Sequence, residues 1–337
     1  MPAPRPSGPP AAPLAPPVTR PARAVAEPDA ADIAAAREVV ARHLPATPLV
    51  PVRLPGVDAD VLAKLEMLQP TGSFKVRGAL AAVAAHAGSA DRVVTPSAGN
   101  AALGVAFAAG RLGVPATLVV PETASPAKVA ALRALDVELV LHGADYEAAE
   151  RHALDLARDG AAFVSPYNDP HVIAGQLTLG DEIDRQAGDE VTLVVPVGGG
   201  GLVAGCALWA EEHPSARLVG VEAAASPSVS RAVAVGRIER IDIAPTIADG
   251  LGGNLEPGAV TPAIASRRVD SWLRVDEAQI RDAIRALATR CGLVAEGAAA
   301  VGVAALSAGL VPTRGTPVVV LTGRNIVPEL LAEIIGT

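Results

Sequence analysis

A chain of 337 residues with a net charge of −8 is long enough for about two domains. Half of it is hydrophobic, yet only seven side chains are aromatic (three Phe, two Trp, two Tyr), so the core must be built from Ala, Val, Leu and Ile in close helix-on-sheet packing. The acidic balance, the lack of a basic run and the scarcity of stacking rings exclude an ordinary nucleic-acid surface and leave a small molecule as the expected partner.

Residues 1–28 carry ten prolines among alanines and a few arginines. That composition supports neither a continuous helix nor a packed strand, and it predicts a disordered tail without the apolar core of a secretory signal. Ile33, Val40 and Leu44 then mark an amphipathic first helix, and Leu49 to Val52 and Val61 to Glu66 read as short strands.

The stretch Thr71-Gly72-Ser73-Phe74-Lys75-Val76-Arg77-Gly78 follows. Gly72 and Ser73 break the strand, and Ser73 is placed to cap the next helix, which puts Lys75 in the first helical turn, where the dipole disfavours a cation. A neutral amine there suits Schiff-base chemistry with an aldehyde. Taken alone, the segment fits a solvated surface lysine at least as well.

Arg92 to Thr95, Thr117 to Val120, Glu138 to Leu141 and Ala162 to Val164 are strand candidates separated by helices, a compact parallel α/β unit. The turn Ser97-Ala98-Gly99-Asn100 can bring amides and a hydroxyl to a carboxylate, although helix capping explains Ser97 and Asn100 equally well. The most membrane-like run, Ala101 to Val120, is interrupted by Arg111 and Pro115, so no membrane partner is expected.

A second series follows, with strands at Val191 to Val197, Arg217 to Val221, Trp272 to Val275 and Pro317 to Leu321. These predict a large domain from 29–88 and 168–337, with a smaller α/β domain inserted at 89–167. In such sheets ligands gather at the carboxyl ends of the strands. There, Gly198-Gly199-Gly200-Gly201 precedes a helix over Leu202 to Glu211 and reads as a phosphate cradle. Gly199, Gly201 and Ala204, with Glu222 ending the next strand, also satisfy the dinucleotide rule, so a nicotinamide oxidoreductase competes. The turn Thr322-Gly323-Arg324-Asn325 places another hydroxyl at a strand's carboxyl end, where an ordinary glycine turn is the simpler reading.

Cys206 and Cys291 form no Cys-x-x-Cys pair, and the six histidines form no His-Glu-x-x-His pattern. The expectation is no disulfide framework, no catalytic metal and a reducing, cytoplasmic setting.

Taken in order, Gly72 to Gly78, Ser97 to Asn100, Gly198 to Gly201, Glu296-Gly297-Ala298 and Thr322 to Asn325 resemble the fold-type II pyridoxal-phosphate enzymes, in particular the serine and threonine dehydratases. The resemblance runs from about Asp29 to the C-terminus. It implies a tryptophan synthase β-like fold, two parallel-sheet α/β domains with the active site between them, and pyridoxal 5'-phosphate as cofactor. It makes Lys75 the Schiff-base lysine and catalytic base, and Gly198, Gly199, Gly200 and Gly201 the phosphate loop. Asn100 becomes the contact to the cofactor's phenolic oxygen, and Thr322 the neutral partner of the pyridine nitrogen, which favours elimination over transamination. Ser97, Ala98, Gly99 and Asn100 hold the substrate carboxylate, and Glu296 stands behind them.

The implied activity is an ammonia-lyase that converts a hydroxy amino acid, L-threonine or L-serine, to a 2-oxo acid and ammonia, in a homodimer or higher homo-oligomer. Ala98 stands where related racemases carry a second hydroxyl base, which disfavours racemisation. Ser228 stands where cation-binding relatives have an acidic residue six positions after the glutamate matching Glu222. Leu177 and Arg324 depart from the commoner glycines and are expected to narrow the pocket or to meet a side-chain carboxylate, as in a hydroxyaspartate or hydroxyectoine-pathway lyase, unless Arg324 forms a salt bridge outside the site. No appended regulatory domain is expected after Thr322.

Overall fold

The computed structural model describes residues 23–188 and 190–336. The chain enters through α1 (Ala30–His43) and the hairpin of β1 (Leu49–Val52) and β2 (Val61–Lys64), turns through a short 3-10 segment (Glu66–Leu68) and passes into α2 (Lys75–His86). An alternation follows: β3 (Val93–Pro96), α3 (Asn100–Leu112), β4 (Ala116–Val120), α4 (Pro126–Arg133), β5 (Glu138–Leu141), α5 (Tyr146–Arg158) and β6 (Ala162–Phe163). Helix α6 (Pro170–Ala187) leads to β7 (Val191–Pro196), α7 (Gly201–Glu212), β8 (Arg217–Ala223) and α8 (Ser228–Val235). After a long irregular stretch come α9 (Thr261–Ser266), β9 (Val269–Val275), α10 (Glu277–Cys291), α11 (Gly297–Ser307), β10 (Thr316–Val320) and α12 (Pro328–Gly336).

Two sheets organise these elements. One has the order β1-β2-β10-β7-β8-β9 and the other β5-β4-β3-β6. Every pairing is parallel except β1 with β2. The eight residues between that pair cannot hold a crossover helix, so the chain closes a hairpin instead. Strand β9 starts three residues earlier than its apolar run suggests, because Asp270 and Ser271 extend a half-exposed sheet edge.

Local chemistry sets the helix ends. Asp29 and Asp276 each form a capping box, with Asp32 and Gln279 respectively, and Asp169 accepts from His171 N and Val172 N ahead of Pro170. Few aromatic rings are needed because the helices approach closely. Gly180 lies against Trp209, where a Cβ would come within 2.3 Å of the ring, and Gly205 lies against Leu177. Leu177 is therefore packed in the core between α6 and α7 and does not narrow a pocket, contrary to the sequence expectation.

Helix α2 belongs to both halves of the molecule. Val76, Leu80 and Val83 join the core of the smaller sheet with Val93, Val105 and Leu118. On another side, a buried ion cluster fastens α2 to β2 and α6. Arg77 donates to both oxygens of Glu66 at 2.7 Å and to Glu182 at 2.8 Å, while Lys64 donates to Glu182 at 2.6 Å and to Thr47 O at 2.7 Å. Burial pushes the Glu66 carboxyl up, but the adjacent guanidinium holds it below the usual carboxylate range. Residues 1–22 of the expected tail lie outside the described residues. Residues 23–28 make specific contacts with the folded body: Arg23 donates to Glu256 and to Asn168 O, and Glu27 pairs with Arg267.

Candidate active site

The turn before α2 is set by β10 rather than by a cap. Phe74 N donates to Thr322 O at 2.9 Å, Arg324 N to Gly72 O at 3.0 Å, and Ser73 bridges Gly323. Ser73 does not cap the helix as expected: Phe74 occupies the cap position, and the Ser73 hydroxyl is buried without a partner. The tertiary pairing of the two turns uses the backbone that capping needs.

Lys75 opens α2, as its sequence setting predicts. Its Nζ donates to Pro166 O at 2.8 Å and lies 5.2 Å from the Phe74 ring centroid. Burial pulls the pKa of the amine down to about 8, while Glu296 nearby pulls the other way. The amine is thus shifted toward neutrality by loss of water, where the sequence reading credits the helix dipole.

Gly198 to Gly201 form the turn between β7 and α7 at the carboxyl edge of the large sheet. Gly200 is left-handed (φ 90°), and the Thr261 hydroxyl donates to Gly199 O at 2.7 Å. Gly199 abuts the Tyr167 ring, where a Cβ would lie 2.4 Å from the nearest ring carbon. Among the described residues, none of the four glycine N–H groups donates to another residue. Four free amides at a helix start form a cradle for an anion.

Ser97 to Gly99 link β3 to α3, and Gly99 rather than a polar side chain holds the cap position. The capping account of Ser97 and Asn100 therefore fails: Ser97 Oγ accepts only from Gly99 N, at 3.2 Å, and Asn100 points elsewhere. Asn100 Nδ2 donates to Glu296 Oε1 at 2.8 Å. Glu296, at the start of α11, is pushed above the usual carboxylate range by burial and by Asp249, against hydrogen bonds from Asn100 and Asn325 N and the charge of Lys75. Gly323 has to be small there, since a Cβ would lie 2.5 Å from Glu296 Oε1. Thr322 is buried at the end of β10.

The structure thus joins the Lys75 turn to the Thr322 turn, and Asn100 to Glu296. Arg324 is exposed and forms no ion pair among the described residues, so the alternative of a salt bridge outside the site gains no support. Glu222 is turned away from nucleotide duty: it is buried, and its Oε1 accepts from Val229 N and Ser230 N at the start of α8. Ser228 donates to Gly253 O at 2.6 Å. Among the described residues no cluster of His, Cys, Asp and Glu could hold a metal ion. Pro166, Tyr167 and Thr261 escape sequence reasoning because only folding brings them to the site. Asn325 stands inside a quoted motif without a role.

Two surface cavities, of about 480 and 520 Å³, lie elsewhere, and neither has Lys75 in its lining. Their linings lack the free amides and the perturbed amine, so chemistry rather than size selects the site.

The family model for "Pyridoxal-phosphate dependent enzyme" matches residues 40–323. The L-threonine ammonia-lyase of Thermotoga maritima is 41% identical over 282 residues, which cover 82% of this chain and 70% of that protein. The catabolic L-threonine dehydratase of Escherichia coli K12 is 35% identical over 285 residues, 82% of this chain and 86% of that one. Among solved structures, a threonine deaminase from T.th. superposes with a TM-score of 0.80 at 37% identity, covering 88% of this chain and 98% of that one. Maize serine racemase gives 0.83 at 27% identity, covering 91% and 97%.

Proposed function

The chain belongs to the family of pyridoxal-phosphate dependent enzymes, and from that premise we propose that it is a threonine and serine ammonia-lyase with Lys75 at its catalytic centre. It is a lyase that eliminates from hydroxy amino acids. The observation that carries the assignment of the centre is the pairing, through the adjacent residues Pro166 and Tyr167, of a half-buried amine of depressed pKa with a cradle of unused amides at 198–201. Both fit the cofactor, one its aldehyde and the other its phosphate.

When bound, pyridoxal 5'-phosphate supplies an electron sink for the pair left behind when the substrate Cα loses its proton. The remaining work falls to the chain. The amides of Gly198 to Gly201 and the α7 dipole hold the phosphate. Lys75 Nζ would hold the cofactor through its aldehyde, and its free amine would be the base for the substrate Cα proton; a pKa of about 8 leaves an appreciable neutral fraction for that role. The 97–100 turn holds the substrate carboxylate and so orients Cα–H relative to Lys75. Thr322, which bears no charge, would face the ring nitrogen without holding it protonated, which favours loss of the β-hydroxyl over transamination. Ala98 offers no hydroxyl to return a proton from the opposite face, which separates this reading from racemisation.

A second substrate class rests on Arg324. It is exposed, has no ion pair among the described residues and lies two residues from Thr322, so a hydroxyaspartate carboxylate has a cation available. The same reading includes a cytoplasmic homo-oligomer, with Cys206 and Cys291 both free thiols.

Incubating the purified holoprotein with threonine, serine and hydroxyaspartate isomers and measuring 2-oxo acid release tests the assignment. Release from threonine or serine that vanishes in Lys75→Ala is expected. Full activity in that variant refutes it, and activity on hydroxyaspartate alone, lost in Arg324→Ala, selects the second class.

A further inference from the structure

Asn325 is joined to three separate segments. Its Nδ2 donates to Asn100 Oδ1 at 2.6 Å and to Thr71 O at 3.0 Å, and its backbone N donates to Glu296 Oε2 at 3.1 Å. Glu296 Oε1 in turn accepts from Asn100 Nδ2 at 2.8 Å. Asn100, Asn325 and Glu296 therefore close a ring of hydrogen bonds. It links α3, which carries the 97–100 turn, to the turn before Lys75 and to the start of α11.

The ring fixes both amide orientations without reference to any ligand. A carboxylate and a peptide carbonyl only accept, so Asn100 must turn its NH₂ to Glu296, and Asn325 must turn its NH₂ to Thr71. Asn100 then has its oxygen occupied by Asn325 and a single N–H left unspent. Both N–H groups of Asn325 are used. Gly72 is left-handed (φ 73°), and a Cβ there would lie 2.5 Å from Asn325 Oδ1, so the amide lies flat on the turn that leads to Lys75.

We propose that Asn325 is a positioning residue that locks the Asn100 amide, so that its one remaining N–H serves the phenolic oxygen of the cofactor, and that it ties α3 to the Lys75 turn. The inference rests on the proposed site and adds to it a residue with no contact to substrate. The side-chain bonds that Asn325 makes are exposed, so water competes for them and the lock adds little to global stability. Its effect falls on the orientation of Asn100. A change that removes the lock alters how firmly the phenolic oxygen is held in its ionised form, which the pH titration of the visible absorption band reports.

Asn325→Asp and Asn325→Ala test the proposal. Aspartate keeps the shape but replaces both donors by an acceptor and sets a second carboxylate beside Glu296. In both holoenzymes kcat/KM for L-threonine is expected to fall about 30-fold. The titration midpoint of the visible band should move by about one unit, while the melting temperature stays within about 2 °C of the parent. On the cofactor-free protein, amide hydrogen exchange over residues 103–107, the first protected amides of α3, should quicken about tenfold in either variant. A purely structural residue would lower the melting temperature and leave the titration midpoint in place, which would overturn the proposal. Wild-type exchange and wild-type titration in Asn325→Asp would do the same. If the wild-type protein takes up no cofactor, the proposed function fails, and the exchange measurement still decides whether Asn325 locks Asn100.

Discussion

The Lys75 amine donates to the carbonyl oxygen of Pro166, and the next residue, Tyr167, supports the glycine loop through its ring beneath Gly199. Two adjacent residues of the β6–α6 connection thus hold the amine proposed to take the cofactor's aldehyde and the loop proposed to take its phosphate. Tyr167 is itself fastened, its hydroxyl accepting from Glu256 N at 2.7 Å. The spacing between Lys75 and the glycine loop is set by one short stretch of backbone.

Burial brings the Lys75 amine to about 8, which gives a pH signature. Since the folded pKa lies below the ordinary value of about 10.4, the unfolded chain holds more protons between those limits, and this group's contribution to stability rises with pH across that window. In the cofactor-free protein, borohydride trapping of pyridoxal 5'-phosphate on the Lys75 peptide should rise with a midpoint near 8. A midpoint near that of free lysine would show that the amine is not desolvated.

Glu296 opposes that shift, so removing its charge should deepen it. In Glu296→Gln the trapping midpoint should move below 8, because the carboxylate that favours the ammonium is gone. The variant also leaves one side-chain oxygen to accept from both Asn100 Nδ2 and Asn325 N, so kcat/KM should fall about tenfold or more. A midpoint at or above 8 would mean that Glu296 does not act on Lys75.

The Gly199–Tyr167 contact makes a steric prediction. Gly199→Ala places a methyl 2.4 Å from the ring carbon, an overlap that costs about 1–3 kcal/mol if the loop shifts to relieve it. A shifted loop misdirects its amides, so pyridoxal 5'-phosphate should bind at least tenfold more weakly by fluorescence titration. Adding Tyr167→Ala removes the obstacle and should restore part of the affinity, a coupling that independent sites would not show.

Much of this is readable in the chain, and what is not has a physical cause. The strands are marked by short runs of Val, Ile and Leu, and the glycine loop by its position between such a run and a helix. The start of α2 is visible in Gly72 and Ser73, yet Ser73 as a cap is wrong because β10 supplies the backbone pairing for that turn, and sequence proximity cannot reveal it. Glu222 fits a ribose-binding pattern by spacing alone, whereas in the fold its carboxylate receives the first amides of α8. Leu177 reads as a pocket residue and is core, because α7 presents Gly205 to it. Pro166 and Tyr167 are tertiary neighbours of the site with no local signal of their own, and Asn325 lies in a visible motif whose spacing says nothing of its tertiary partners.

Arg77 tests how α2 is held. It lies two residues after Lys75, fully buried, and donates to Glu66 through two nitrogens and to Glu182 through a third. With Lys64 the cluster carries two positive and two negative charges, so each charge is offset by its neighbours, although burial still pulls the Lys64 amine below its usual pKa. Arg77→Met leaves two buried carboxylates sharing one lysine, and breaking such a pair costs about 3–5 kcal/mol. Guanidinium unfolding should show that loss in its midpoint without a matching change in slope. Glu66→Gln in the same chain removes the stranded charge, so the double variant should be less destabilised than the two single losses added together. Lysine at position 77 keeps the charge but not the paired geometry to Glu66, and should recover only part of the stability. Simple additivity across Arg77 and Glu66 would mean that they stabilise the fold independently, and α2 would then owe its placement to its apolar face alone.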